Sequence, residues 1–462
     1  MFLVVPMAYS TIMEVSSTSG AGLANIIAAR LGACGFKAYL VGGCVRDLLL
    51  GRQPKDYDVA TDAQPGQILQ LFPDAREVGA HFGVMLVRRD GAEVEVATFR
   101  SEHSYADGRH PSQVQFETDP RRDALRRDFT INALLQDPAS GEVLDFVGGR
   151  ADLEARLIRA IGAAETRFAE DHLRLLRAVR FAASLGFEIE PATMAAVRRM
   201  AGSIRNVSSE RVRDELARIL TEGGARRGFE LLDETGLLLE LIPEAAAMKG
   251  VEQPQQFHPE GDVWTHTLIL LGAMREPSLT LALGALLHDV GKPPTFRRAD
   301  RIRFDGHAEL GAKMAVQILT RLRFSGEEIR RVESLVANHL RFIDVRKMKE
   351  STLKRFLRQE HFSEHLELHR LDCVSSHGWL DNYSFVREKL EALPAEHLRP
   401  AKLVTGDDLI RAGYTPGPAF QRMLETAEDA QLEGRISTPE EGMALVRSMY
   451  VPPDGQPTPA CR

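Results

Sequence analysis

The chain has 462 residues, 44% hydrophobic, 27% charged and 6% aromatic, with a formal net charge of −7. That is apolar material for about three domains, and the acidic balance excludes a protein coated in positive charge, so contact with nucleic acid must come from local arginine clusters. Cys34, Cys44, Cys373 and Cys461 form no C-x-x-C pair, and the sequence has neither a signal-peptide pattern nor an 18-residue apolar run, which points to the reducing cytoplasm and to no membrane partner.

A loose lead-in covers residues 1–22, and residues 23–150 then mix the two periodicities. A helix over ANIIAARLGACG precedes a strand at KAYLVGG and a short helix at CVRDLLLGR. Strands follow at DYDVAT, GVMLVRR and AEVEVATFR, and a helix is expected at RRDFTINALLQ. Strands interleaved with helices indicate an α/β head. Residues 151–250 are helical, as DHLRLLRAVRFAASLGF and SSERVRDELARILTE show. Residues 251–393 form a second helical region that holds most of the histidines, and residues 394–462 are a small helical end with a tail.

Chemistry concentrates in the head. Gly42 and Gly43 end a strand and open a helix, where bare backbone amides can approach a triphosphate. Asp56 and Asp58 stand two apart, so on a strand both carboxylates face the same way. Glu95 lies on an alternating strand further on and offers a third carboxylate. Three oxygen ligands on neighbouring strands suit Mg²⁺ shared with phosphates, and two such ions would activate a 3′-hydroxyl and stabilise the leaving pyrophosphate.

The Gly-Gly then Asp-x-Asp pattern resembles the polymerase-β-like nucleotidyltransferases. Its surroundings resemble their class II branch, which contains bacterial and eukaryotic CCA-adding enzymes and bacterial poly(A) polymerases. Three further stretches carry the likeness: Arg126-Arg-Asp-Phe-Thr-Ile-Asn-Ala133, Asp145-Phe-Val-Gly-Gly-Arg-Ala-Asp152 and Glu170-Asp-His-Leu-Arg174. They resemble the family's ribose- and phosphate-binding motif, its hinge between head and neck, and its base-selecting motif. The resemblance implies an α+β fold with a small sheet in the head and a mainly helical neck and body. It also implies that Arg46, Arg127, Asp128 and Asn132 sit near the nucleotide, with Asp128 beside the ribose.

In the base-selecting stretch, Asp171 and Arg174 are i and i+3 and are expected to share one helix face. Such a pair offers an acceptor beside donors, which matches the Watson–Crick edges of cytosine and adenine and mismatches uracil and guanine; a site that loses such bonds discriminates by ~10⁴. Arg177 and Arg180 extend the basic stripe toward triphosphate or tRNA backbone. The implied partners are therefore CTP, ATP and the 3′ end of tRNA; the oligomeric state is not legible. The stretch Ser101–Pro111 reads as a mobile polar loop. In the family this loop serves the switch from C to A addition, so its presence argues against a CC-only enzyme. An enzyme that only completes CC-ended tRNA, and a poly(A) polymerase, share these motifs; a phosphohydrolase with an RNA-binding head belongs to a different class.

In the second helical region His266, the His288-Asp289 pair and Asp372 occur in an order that resembles HD-domain metal-dependent phosphohydrolases. Ligands separated by helices can converge inside a bundle. The resemblance makes these four the expected ligands, with His307 and His339 as additional ones. Mn²⁺, Ni²⁺, Fe²⁺ or Mg²⁺ would fit such a donor set.

Overall fold

The computed structural model describes residues 19–79, 83–105 and 111–450. The chain divides into two compact units, one ending at Pro243 and the other starting at Glu244. Most of the expected lead-in and the tail from Val451 on lie outside the described residues.

In the first unit, helix α1 (Gly20–Ala33) starts where the Ser19 hydroxyl accepts the Gly22 amide, and it buries Leu23, Ile27 and Leu31 at four-residue spacing. Strand β1 (Ala38–Val41) leads into α2 (Gly43–Leu49), then β2 (Asp58–Thr61), α3 (Pro65–Leu71), β3 (Arg76–Gly79), β4 (Val84–Arg89) and β5 (Ala92–Thr98). With β6 (Arg100–Tyr105) and β7 (Pro111–Phe116) forming a separate antiparallel pair, β8 (Leu135–Gln136) and β9 (Val143–Leu144) complete a seven-stranded sheet of order β3-β4-β5-β2-β1-β8-β9. On β5, Val94 and Val96 are buried while Glu93 and Glu95 face out, the period-2 pattern the sequence carries. The β2–β5 pairing is parallel and sets Asp58 directly beside Glu95.

Three local expectations are corrected. Asp56 is not on the strand: β2 begins at Asp58, and Asp56 lies exposed in the turn before it. The stretch read as the helix RRDFTINALLQ follows α4 (Pro120–Leu125) as a turn, a 3₁₀ segment over Thr130–Asn132 and strand β8. There the Asp128 carboxylate accepts both the Phe129 amide and the Asn132 side-chain amide, local bonds that compete with helix. The stretch Ser101–Pro111, read as a loop, contributes to the β6–β7 hairpin, paired from Arg100↔Phe116 to Tyr105↔Pro111; residues 106–110 lie outside the described residues.

The helical part of this unit runs through α5 (Gly149–Glu154), α6 (Ala164–Glu170), α7 (Arg174–Leu185), α8 (Pro191–Met200), α9 (Ser209–Thr221), α10 (Ala225–Glu234) and α11 (Leu237–Leu241). At the entry to α5 the Asp145 carboxylate accepts four backbone amides, from Val147 to Arg150. The chain passes so close here that a Cβ on Gly149 would stand 2.2 Å from the Thr130 carbonyl oxygen.

The second unit is a bundle built on helices Val263–Ala273, Leu279–Leu287, His307–Arg321, Gly326–Asn338 and Phe362–Val374. Leu279–Leu287 is apolar on nearly every face and is buried almost throughout, as a central helix must be. The helical end packs separately around Val404, Leu409, Tyr414, Met423 and Val446. Among the described residues no helix is long and apolar enough to cross a membrane.

Candidate active site and metal centre

Of the head residues singled out from the sequence, all but Glu95, Asp171 and Arg174 line one cleft of about 460 Å³. Gly42 holds φ +79, which glycine alone adopts without strain, and a Cβ there would stand 3.3 Å from Arg127 Nη1. Burial raises the Asp58 carboxyl to a pKa of about 6, with Glu95 and Asp56 adding to the shift and Arg127 opposing it. Such crowding of carboxylates is the condition a divalent cation relieves, so these residues fit Mg²⁺.

The cationic wall is wired to itself. Arg46 donates to Asn132 Oδ1 at 2.8 Å, and Asn132 in turn donates to Asp128 Oδ1 at 3.3 Å. Arg177 donates twice to Asp128 Oδ2, at 2.8 and 2.6 Å. Arg180 donates to Glu215 Oε2 at 2.6 Å, and Arg177 lies 3.9 Å from the same carboxylate. Burial alone would raise Asp128, but Arg177 overrides it and holds the carboxyl down at about 2. Three guanidiniums, of Arg180 (4.1 Å), Arg177 (5.2 Å) and Arg46 (5.4 Å), surround the Phe181 ring. Glu215 and Phe181 escaped the sequence reading because helical periodicity assigns them only a face.

Asp171 and Arg174 do not share a helix. Asp171 closes α6 in extended backbone, and its carboxylate accepts the Leu173 amide in an Asx turn, from which α7 starts at Arg174. Each is held from elsewhere: Arg211 donates twice to Asp171, at 3.2 and 2.8 Å, and Arg174 donates to Glu170 at 2.6 Å and to the Arg167 carbonyl at 2.8 Å. Arg211 was missed, since nothing in its spacing points to Asp171.

In the second unit the six histidine and aspartate residues expected as ligands converge. His266 Nε2 lies 3.1 Å from Asp372 Oδ1, and His288 Nε2 lies 3.2 Å from Asp289 Oδ2. His307 and His339 approach Asp289 Oδ1 at 3.5 and 3.8 Å. Each imidazole is oriented through its other nitrogen. The Nδ1 atoms of His288, His307 and His339 bond to the carbonyls of Ala285, Phe304 and Val336, and that of His266 to Glu260 Oε1 at 2.8 Å. The tautomer this enforces turns four Nε2 lone pairs inward, and all four atoms are buried without a hydrogen bond. Buried polar atoms seldom lack partners; here they form two tight groups, His266–His288–Asp372 and Asp289–His307–His339, with donor atoms within 4.8 Å. This donor set fits divalent metal. Burial lowers the His339 pKa to about 4, so that ring presents a lone pair and not a charge.

His258 and Glu260 form a third group with His266 and were missed, although HPEGDVWTH shows both within eight residues of it. Asp262, nearer in sequence, instead caps the helix by accepting the Thr265 amide at 2.7 Å.

Comparison with known proteins matches three family models: a poly A polymerase head domain over residues 38–159, a probable RNA and SrmB-binding site of polymerase A over 186–249, and an HD domain over 262–366. A CCA-adding enzyme of Lactobacillus johnsonii is 31% identical over 423 residues, covering 88% of this chain and 92% of the relative. A CC-adding tRNA nucleotidyltransferase of Thermus thermophilus is 35% identical over 426 residues, covering 88% and 93%. Among solved structures, a Bacillus stearothermophilus CCA-adding enzyme in complex with CTP aligns with TM-score 0.72 and 27% identity over 92% of this chain and 97% of that one.

Proposed function

The chain belongs to the CCA-adding enzyme family of tRNA nucleotidyltransferases, and from that premise we propose that it adds C and A from CTP and ATP to the 3′ end of tRNA without a nucleic-acid template. The observation that carries this reading is the single cleft in which Gly42, Asp56, Asp58, Arg127 and the Asp128–Arg177 pair meet. Such a cleft can receive a triphosphate at its cationic wall while the carboxylates stand at the reacting end.

In the reaction the tRNA 3′-hydroxyl attacks the α-phosphate and pyrophosphate leaves. Mg²⁺ bound by Asp56, Asp58 and Glu95 would lower the charge of the triphosphate and acidify the hydroxyl. The glycine backbone leaves room for phosphate oxygens. Asp128, fully ionised at neutral pH, already accepts from Phe129, Asn132 and Arg177, so it takes the ribose 2′-hydroxyl by sharing or exchanging one of those donors, with Asn132 and Arg46 fixing its direction. Asp171 and Arg174 read the base, and Arg211 and Glu170 hold them in place for it, so recognition is an exchange or sharing of partners.

The test is incorporation on tRNAs ending before CCA, after C and after CC, with CTP and ATP alone and together and with UTP and GTP as controls. Addition of CCA to the shortest tRNA is expected. The full-length likeness to a CC-adding relative makes a stop after CC the informative alternative, and a single A added only to CC-ended tRNA would mark a completing enzyme. No incorporation on any of the three overturns the reading.

The second unit we read as a separate divalent-metal centre, with His266, His288, Asp289 and Asp372 as ligands and His307 and His339 completing it. Nitrogen-rich donors favour Mn²⁺, Fe²⁺ or Ni²⁺ over Mg²⁺. The scattered free thiols fit work in the cytoplasm.

A further inference from the structure

Away from the metal centre, bare buried atoms gather at a second place. Arg331 Nε, Gln359 Oε1, Glu364 Oε2 and His365 Nδ1 are all buried without a hydrogen bond, and their residues line one cleft of about 490 Å³. Buried polar atoms seldom lack partners, so this many round one cleft imply a ligand that supplies them. The cleft lies between helices Gly326–Asn338 and Phe362–Val374, roughly two helical turns before His339 and Asp372. It is therefore separate from the metal centre.

The bare atoms divide into donors and acceptors. The Ser334 hydroxyl accepts the Asn338 side-chain amide at 3.4 Å and turns its own proton to His365 Nε2 at 3.3 Å, which leaves the ring's N–H on Nδ1. His365 is only 3% exposed, and burial lowers its pKa to about 4, so the ring is neutral. His365 Nδ1 and Arg331 Nε are thus donors, and Gln359 Oε1 and Glu364 Oε2 are acceptors. Ser278, Thr280 and Arg331 all donate to the other oxygen of Glu364 and keep that carboxylate ionised. Helix Phe362–Val374 starts at the cleft with no side-chain cap, since His361, at φ +52, makes no such bond. Its positive end is open to an anion. Arg330 and Arg331 line the cleft beside Glu327, Glu360 and Glu364, an excess of one carboxylate.

We propose that this cleft binds a free α-amino acid with a basic side chain. The carboxylate meets Arg331 Nε, His365 Nδ1 and the open helix end. The ammonium meets Glu364 Oε2 and Gln359 Oε1, and the side chain reaches Glu327 and Glu360. Inorganic phosphate would satisfy the donors and leave both acceptors bare. A guanine edge carries the same donors and acceptors, but a base needs a flat apolar face, and Leu335 is the one apolar residue of the lining among the described residues. The volume lies within the range of small-molecule pockets, ~300–1,000 Å³.

The experiment is calorimetric titration of the full chain with L-arginine, and in parallel with agmatine, which lacks the carboxylate, Nα-acetyl-L-arginine, which lacks the ammonium, guanosine and inorganic phosphate. L-arginine is expected to bind at a single saturable site and to raise the melting transition of the second unit. Agmatine and the acetylated form should each bind at least tenfold more weakly, and a chelator should leave L-arginine binding unchanged. Gln359→Leu removes an atom that has no partner in the chain, so its melting temperature should hold while L-arginine binding falls on the order of tenfold, the scale of one buried hydrogen bond to a charged group. His365→Phe should do the same and guards against a local effect of the first substitution. If L-arginine fails to bind at millimolar concentration, or binds no better than agmatine, or binds both variants like the parent, the proposal is overturned. Saturable guanosine or phosphate binding in its place would likewise overturn it.

Discussion

In the head, Arg46, Asn132, Asp128, Arg177, Glu215 and Arg180 are joined in one run of hydrogen bonds and ion pairs, whereas four imidazole nitrogens of the second unit face inward with no hydrogen bond at all. The same residue types thus serve two designs. A cleft that must admit and release a nucleotide at every turnover keeps its charges neutralised by one another, so that opening it to water costs little. A site that held a metal permanently could leave its lone pairs bare, because the cation that satisfied them would stay, and that is how we read the second unit.

The sharpest way to break this contrast is to remove ligands one site at a time. Asp58→Ala is expected to lower nucleotide incorporation by on the order of 10³-fold or more, the scale of losing several kcal/mol of metal stabilisation, and to leave metal bound in the second unit untouched. The converse pair, His288→Ala with Asp289→Ala, should abolish that bound metal and spare incorporation. Metal analysis after gel filtration, beside the incorporation assay, checks both. Cross-effects of similar size would show that the two centres are not independent.

A second probe addresses the claim that the head is neutralised internally. Arg180 and Glu215 have side chains only 6% and 7% exposed. Removing Glu215 leaves the buried Arg180 with only the longer 3.6 Å pairing to Glu222, at about 3 kcal/mol. For a unit of this size that corresponds to a fall in Tm of roughly 6–12 °C. Glu215→Ala should therefore melt the first unit early in calorimetry and leave the second unit's transition in place. An unchanged transition would mean the pair is a dispensable surface contact.

How much of this was legible in the sequence follows from the range of the interactions. Strands β1, β2, β4 and β5 follow from local periodicity, the head carboxylates stand out by their own chemistry, and the six histidine and aspartate candidates of the second unit come from the resemblance to HD domains. What could not be read are the long-range partners. Arg211 reaches Asp171 across 40 residues and Glu215 reaches Arg180 across 35, and no pattern within a window of one helix signals either. The two misplaced helices failed for a related reason. Asp128 and Asp171 bond their carboxylates to nearby backbone amides and stop the helix that their neighbours' periodicity favours. In both cases a side-chain bond to the local backbone overrode the pattern of the neighbouring residues.

Glu260 tests the orientation argument in the second unit. Its Oε1 receives His266 Nδ1 at 2.8 Å and stands 2.9 Å from His258 Nδ1. Such outer partners fix the tautomer of a ligand, and their loss typically weakens metal binding ~10–100-fold. Glu260→Gln keeps the shape and removes the charge, so a competition titration against a chelator should show that weakening without loss of fold. If affinity is unchanged, His266 is oriented by packing alone.

The smallest expected effect is a pH dependence in the head. Asp128 titrates at about 2 in the folded chain because Arg177 outweighs its burial, against about 3.9 for an unfolded aspartate. A carboxyl whose folded pKa is depressed contributes stability that is fully present above the unfolded value and is lost as pH falls through the folded one. The linkage is worth roughly 2–3 kcal/mol at most, and less after discounting for the partial exposure of Arg177. Asp128→Asn removes the anion at every pH. The stability gap between the parent and this variant, from denaturant melts of the first unit, should therefore be flat from pH 5 to 8 and shrink between about pH 4 and 2. A gap that stays constant down to pH 2 would mean that Asp128 contributes by hydrogen bonding and shape rather than by charge, and the head's wiring would then be geometric before it is electrostatic.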